Sequence, residues 1–323
     1  MRRDAGEVRQ KGDAGHAIDA GGLRAGPGSA IGAPSMTRAA IEHPNPAMPA
    51  VVLEFTAGMS FAERHRLALR DGADAVHLWR LAWMLGWFDI RLRYRGSMLG
   101  PFWLTLSTGV MIGMLGVLYS ALFHLSVREY LPYLAVSQIL WLFLSTIVSE
   151  ACTCFTLVEA VIRSIRMPFM LHALRNVVRN LLVLAHNVVV IVIVYAIFGL
   201  WPGMSLLLTI PALLLWFIDA VAVTLLLGMF CARFRDIPPI VGSLMQIFFF
   251  VTPILWKPEQ LGHFAAYLPL NPFSVLLEIL RGPLIGAPPP LGVWLAASIY
   301  SLLLCMGAWL LFVRARGRLA FWI

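Results

Sequence analysis

The sequence predicts an all-α membrane protein: six transmembrane helices, a cytoplasmic N-terminal interface helix, and a short re-entrant hairpin between helices 5 and 6. Three observations lead there. Residues 1–95 hold 23 of the 42 Asp, Glu, Lys and Arg side chains, leaving 19 for the 228 residues that follow. A soluble domain is about 25% charged, roughly three times that density, so the second part is no ordinary soluble enzyme. Apolar residues also come in long runs, beginning with the 32 residues between Arg95 and Arg128 that contain none of those four types. Finally, the basic residues gather in alternate loops.

Residues 1–50 are rich in Gly, Ala, Arg, Asp and Pro and lack an apolar run of signal-peptide length. The expectation for 1–59 is a disordered cytoplasmic tail, one that translation from Met36, Met48 or Met59 would omit. Residues 60–95 are expected to form cytoplasmic amphipathic or interface helices. The apolar stretch from Leu78 to Ile90 is too short to cross a bilayer, which takes ~20 helical residues. Trp79, Trp83 and Trp87 recur at i, i+4, i+8, where indoles favour the headgroup zone, and Arg91, Arg93 and Arg95 follow at once. An interfacial helix fits, although Arg80 and Asp89 project from opposite faces.

Residues 96–323 form the six-helix transmembrane domain, with spans near 103–123, 131–149, 177–199, 204–231, 237–256 and 291–313. The fourth is long enough to require tilt. Twelve arginines (91, 93, 95, 163, 166, 175, 179, 233, 235, 314, 316 and 318) fall on one side, against Arg128, Lys257 and Arg281 on the other. Basic residues favour the cytoplasmic side, so both termini are placed in the cytoplasm. The formal net charge of +8 therefore records topology and gives no reason to expect a nucleic-acid partner.

Several chemistries are missing from the sequence. A P-loop requires Gly-Lys before Ser or Thr, but the only lysines, Lys11 and Lys257, follow Gln10 and Trp256. There is no His-Glu-x-x-His metal pair and no Gly-x-Ser-x-Gly elbow. No catalytic residues, metal site or cofactor of the chain's own are expected. Cys152, Cys154, Cys231 and Cys305 sit in apolar stretches and read as small buried hydrophobes.

Four stretches stand out. Arg93 to Trp103 reads as a cationic anchor and a Gly/Pro turn into the first span. In Glu159 to Pro168, a short helix would present Arg163 and Arg166 on adjacent turns, for orientation or for an acidic partner groove. In Arg233 to Pro239, Asp236 is expected to pair with Arg233 or Arg235 and cap the fifth span. The fourth runs from Thr252-Pro-Ile-Leu-Trp256 through Asn271-Pro-Phe273 to Glu278 and Arg281. It contains apolar pieces too short to span, and fits a re-entrant or surface hairpin on the outer side. Asp219 lies inside the fourth span, where an acid is expensive and either functional or hydrogen-bonded to a neighbouring helix, such as through His186 or Asn187. Phe248, Phe249 and Phe250 are candidates for a sugar path or for lipid contact.

Taken together and in order, these stretches resemble the membrane permease of a type-2 ABC exporter, most closely the subfamily that exports O-antigen and capsular polysaccharides in bacteria. The ending Arg318-Leu-Ala-Phe-Trp-Ile323 also looks like the O-antigen branch. The resemblance spans roughly residues 75–323. It implies a permease in the bacterial inner membrane, present in two copies, with two copies of a separate ATPase that binds ATP and Mg. It implies that residues 156–167 couple to that ATPase through Glu159, Arg163 and Arg166. Arg91, Arg93 and Arg95 would meet the pyrophosphate of a lipid-linked polysaccharide, and Asp219, Phe248, Phe249 and Trp256 would line the path. Asn271, Glu278 and Arg281 would belong to the outer re-entrant region. Alternatives are an exporter of teichoic acid, a drug or another small molecule, an ion-coupled secondary transporter using Asp219, or a membrane scaffold.

Overall fold

The computed structural model describes residues 59–98, 100 and 102–323. The tail expected over 1–59 lies outside them apart from its last residue. Among the described residues all regular structure is helical. Helix α1 (Phe61–His77) opens with a capping box in which Ser60 and Glu63 satisfy each other's backbone amides. Helix α2 (Trp79–Arg93) follows after Leu78 alone. Its buried residues Ala82, Gly86 and Ile90 repeat every four positions and seat it on α6. A Cβ on Gly86 would lie 2.9 Å from the Val178 side chain and 3.2 Å from the Arg175 carbonyl, so glycine permits the close approach. Trp79, Trp83 and Trp87 occupy a second, exposed face.

Helices α3 (Phe102–Leu122) and α4 (Val127–Ala151) come next, followed by the six-residue α5 (Glu159–Ser164) and the 30-residue α6 (Phe169–Phe198). A 3-10 turn over Gly203–Leu208 leads into α7 (Thr209–Arg233). Then come α8 (Ile237–Val251), α9 (Pro272–Leu284), α10 (Leu291–Ala315) and α11 (Leu319–Trp322). Helix α4 is the axis of the bundle and packs against α3, α6, α7, α8 and α9. Its Phe143 stacks on Trp216 of α7, with ring centroids 5.4 Å apart.

Among the described residues, five helical segments are long and apolar enough to cross a membrane: Phe102–Leu122, Val127–Ala151, Phe169–Phe198, Gly203–Arg233 and Leu291–Trp322. The expected fifth span, 237–256, is different. Helix α8 has 15 residues, about 22 Å at ~1.5 Å per residue, against a hydrocarbon thickness of ~30 Å. It stops because Pro253 disfavours helical geometry at the preceding residue, and Thr252 is extended (φ −88°, ψ 140°). The third span starts at Phe169, well before the expected 177. Its first turns carry His172, Arg175, Asn176, Arg179 and Asn180, whose polarity hid the helix; the last four find partners in other helices.

The start of α8 departs from expectation for a simple reason. Asp236 occupies the N-cap position but makes no capping bond. A cap binds the amide of the second or third helical residue. Here those residues are Pro238 and Pro239, which have no N–H. Arg233 lies over the Phe234 and Trp322 rings and does not pair with Asp236. Asn271 starts α9 in the opposite way: Pro272 takes the first position, and the Asn271 side chain accepts from Phe273 N at 3.0 Å and Ser274 N at 3.4 Å.

Candidate functional site

Ionic side chains concentrate at the end of the bundle where α4 stops and α6 begins. Asp89 of α2 accepts two bonds from Arg175 of α6, at 2.8 and 2.5 Å. Arg179, one turn on, reaches Asp89 at 3.4 Å and Glu150 of α4 at 2.7 Å. Glu150 also accepts from Arg93 at 3.0 Å and from Asn180 at 2.7 Å. Three helices are thus joined by two carboxylates and three guanidiniums. Arg175 and Arg179 work at i, i+4 spacing along one face of α6, so both meet the same neighbours. Of the arginines expected to meet a pyrophosphate, Arg93 is in this network, while Arg91 and Arg95 are exposed and form no ion pair among the described residues.

Nearby, Asp71 of α1 is buried. Its carboxylate accepts from the Phe169 and Met170 amides, at 3.2 and 3.0 Å, and from Arg316 at 2.9 Å. It therefore caps α6 in trans and ties the far end of α10 to the same point. Helix α5 and the 3-10 turn Thr156–Val158 before it carry no buried residue, and Leu157 and Ile165 stand exposed beside them. Glu159 pairs with Arg163 at 2.9 Å, and Arg163 also donates to the Ile323 carbonyl. The helix ends at Ser164, so Arg166 lies in the link to α6 and not on an adjacent helical turn as expected. Burial raises the thiol pKa of Cys152, and that of Cys154 to about 12.

At the opposite end, the chain between α8 and α9 leaves helical geometry where water is excluded. Thr252, Pro253, Ile254 and Leu255 are all buried. Three of these four carbonyls are nevertheless bonded, that of Thr252 by the Ile254 N–H at 2.8 Å. Tyr130 donates to Leu255 O, and the single Tyr133 hydroxyl hydrogen is shared between Pro253 O and Trp256 O, each 3.0 Å from the hydroxyl oxygen. Arg281 of α9 is only 1% exposed. It donates to the Tyr133 hydroxyl at 2.7 Å, Ser137 at 3.2 Å, Pro253 O and Glu278, with its guanidinium 4.7 Å from the Tyr133 ring centroid. Asn271 adds a bond to Thr252 at 2.9 Å. Arg281 is therefore a buried clamp, where the sequence placed it among the loop cations. Glu278 is its pair.

Two expectations concerned the interior. Phe248 and Phe249 are half-buried against Phe273 and Trp141, whereas Phe250 is exposed. Trp256 is partly buried, and its indole donates to Phe250 O at 3.1 Å. The buried Asp219 bonds to Ser301 of α10 at 2.7 Å, not to His186 or Asn187. Helix α6 does adjoin α7, but the bond joining them is Asn176 to Thr224, at 3.3 Å. The sequence reading passed over Asp71, Glu150, Tyr130 and Tyr133. Glu150 carried a visible signal as an acid at the foot of an apolar span, and the tyrosines carried one in their i, i+3 spacing on the same helix.

A helical bundle with five segments, among the described residues, long and apolar enough to cross a membrane has the make-up of a multi-pass membrane protein. The family described as ABC-2 type transporter matches residues 80–285, and the chain belongs to it. Two similar proteins carry the name O-antigen export system permease protein RfbA. The one from Myxococcus xanthus is 26% identical over 196 residues, covering 58% of this chain and 74% of its own length. The one from Klebsiella pneumoniae is 22% identical over 187 residues, covering 56% and 72%.

Proposed function

We propose that this chain is the membrane subunit of an ATP-driven exporter that carries a lipid-linked polysaccharide, of O-antigen or capsular type, across the bacterial inner membrane. It works as two copies joined to two copies of a separate nucleotide-binding ATPase, which holds ATP and Mg. The observation that carries this reading is the similarity to two O-antigen export permeases over about three quarters of their length. The missing Gly-Lys agrees with it, because the energy must come from another protein.

In this reading the arginine-rich end faces the cytoplasm, as do both termini, and α2 lies along the interface with its tryptophans in the headgroups. The segment 156–167 docks in the ATPase, using exposed Leu157 and Ile165 with Glu159, Arg163 and Arg166. Arg91 and Arg95, with Arg93 beside them, receive the pyrophosphate. Helix α8 and the elbow 252–256 together make the fifth of six crossings. The short helices of 257–286, including Asn271, Glu278 and Arg281, form the outer re-entrant pair. The bonded carbonyls of Pro253, Leu255 and Trp256 support that placement, since non-helical backbone at membrane depth must be enclosed by protein. The exposed apolar residues of α3 and α8 face the second copy, and the polymer passes between the copies beside Phe248, Phe249 and Trp256.

Removing this chain from its host should abolish the polymer on the cell surface and leave lipid-linked polysaccharide in the cytoplasmic leaflet. Restoration should require both this chain and an ATPase with an intact P-loop. Surface polymer that persists without the chain would defeat the reading. Replacing Arg163 and Arg166 together by Glu should cut co-purification of the ATPase about tenfold or more, using 1.4 kcal/mol per decade, with the permease still monodisperse.

A further inference from the structure

Beside the elbow, between the start of α4 and the end of α6, lies a cavity of about 300 Å³. Its lining includes Arg128, Glu129 and Lys257 together with the rings of Tyr133, Tyr195 and Trp201. Lys257 pairs with Glu129 at 3.0 Å and lies 5.8 Å from the Tyr133 ring centroid. Arg128 is exposed and forms no ion pair among the described residues; it donates to the Phe198 carbonyl at a long 3.4 Å. The lining thus carries two cations against one carboxylate, and that carboxylate is already taken by Lys257.

The chemistry of an occupant follows from this lining. A metal cation would meet a net positive charge. A neutral sugar could stack on the exposed Trp201 indole but would leave Arg128 without a counter-charge. A phosphate group supplies one, since guanidinium and phosphate form charge-assisted bonds, often two in parallel, and Lys257 adds a second cation. The surroundings select the body that carries the phosphate. Ile193 and Ile197 of α6, on either side of Tyr195 in sequence, are exposed, and so are Met204 and Leu207, which follow Trp201. A soluble phosphate ester has nothing to lay on these side chains, whereas a phospholipid has acyl chains. Tryptophan also favours the headgroup zone. A choline headgroup would bring a further cation towards Arg128 and Lys257, so the favoured lipid carries net negative charge.

We propose that this cavity holds the headgroup of one anionic phospholipid, its phosphate against Arg128 and Lys257 and its chains along the exposed apolar residues of α6 and the turn after it. In the orientation proposed above, that lipid belongs to the outer leaflet. Binding itself depends neither on the orientation nor on the identity of the exported substrate. Occupancy would bear on the elbow, because the hydroxyl of Tyr133, whose ring lies near Lys257, joins Arg281 to the Pro253 carbonyl.

The test uses the purified full chain, stripped of lipid in a neutral detergent, with dioctanoyl phosphatidylglycerol as probe. Dioctanoyl phosphatidylcholine and glycerol 1-phosphate are its counterparts. Native mass spectrometry should show saturable binding of one phosphatidylglycerol per chain, and the thermal midpoint should rise as it binds. Each counterpart should bind about tenfold more weakly or worse, a difference of ~1.4 kcal/mol. Arg128→Gln should weaken phosphatidylglycerol binding by a similar factor and leave the lipid-free midpoint where it was, because this exposed side chain has no ion pair to lose. Raising the salt from about 0.1 M to about 1 M shortens the Debye length from ~10 Å to ~3 Å and should weaken binding as well. Absence of saturable binding to the wild-type chain overturns the proposal. So does equal binding of the two lipids, or equal binding to the wild-type chain and to Arg128→Gln. Glycerol 1-phosphate held as tightly as the lipid would mark a site for a soluble anion, and the lipid assignment would fall.

Discussion

The two ends of the bundle both tie arginine into ion pairs, and they do so by different means. At the end that gathers α2, α4 and α6, Arg93, Arg175 and Arg179 share Asp89 and Glu150, and every carboxylate has more than one cation. At the elbow, Arg281 stands alone. It has one carboxylate, Glu278, and otherwise a hydroxyl pair and a backbone carbonyl. The first arrangement fastens complete helices to one another, so its parts substitute for each other. The second holds backbone that has no helix of its own, through one guanidinium and two tyrosine hydroxyls. Redundancy here follows whether the backbone nearby can satisfy itself.

That contrast can be broken most forcefully at Arg281. Arg281→Met strands Glu278 and leaves the Pro253 carbonyl with the Tyr133 hydroxyl alone. Removing one partner of a buried pair costs about 3–5 kcal/mol, and the detergent-solubilised protein should lose its cooperative melt or fail to assemble. At the other end, Arg175→Met leaves Asp89 with Arg179. The drop in melting temperature should be well under half that of Arg281→Met, and an equal drop would erase the distinction drawn here. Gly86→Ala tests the fastening of α2 without touching charge. A Cβ crowding Val178 and the Arg175 carbonyl should cost about 1–3 kcal/mol, read as faster proteolysis between α2 and α3.

The smallest effect is a silence. Cys154 is buried with its pKa pushed to about 12, and the thiolate is the reactive form. Maleimide at pH 7 should leave Cys152 and Cys154 unlabelled in the folded protein. Raising the pH towards 9 should change little, because thiolate accumulates only as pH approaches the raised value. Rapid labelling at neutral pH would show that the arginine-rich end breathes more than its ion pairs allow.

Much of the fold was legible in the residues. The charge-free run after Arg95 marks α3, and Gly199 marks the end of α6, where it takes a left-handed conformation with φ 65°. The tryptophan spacing of α2 correctly separates one face, although the buried stripe of Ala82, Gly86 and Ile90 beside it is what seats the helix. What the sequence hid was pairing. Arginines on a loop and arginines in a network look the same until Asp89 and Glu150 arrive from other helices. Asp236 resembled a cap because its type and place were right, and only the two prolines after it say otherwise. Asp219 was visible as an anomaly, but its partner Ser301 lies 82 positions away.

Asp71 sets a limit of another kind. The family match begins at residue 80, yet the carboxylate that closes the first amides of α6 comes from α1. A helix start leaves four amides without partners, and this one also loses its tie to Arg316 if α1 is absent. A chain begun at residue 80 would keep every helix of the match and open the long helix at its foot. The unit that inheritance marks and the unit that can support itself have different edges.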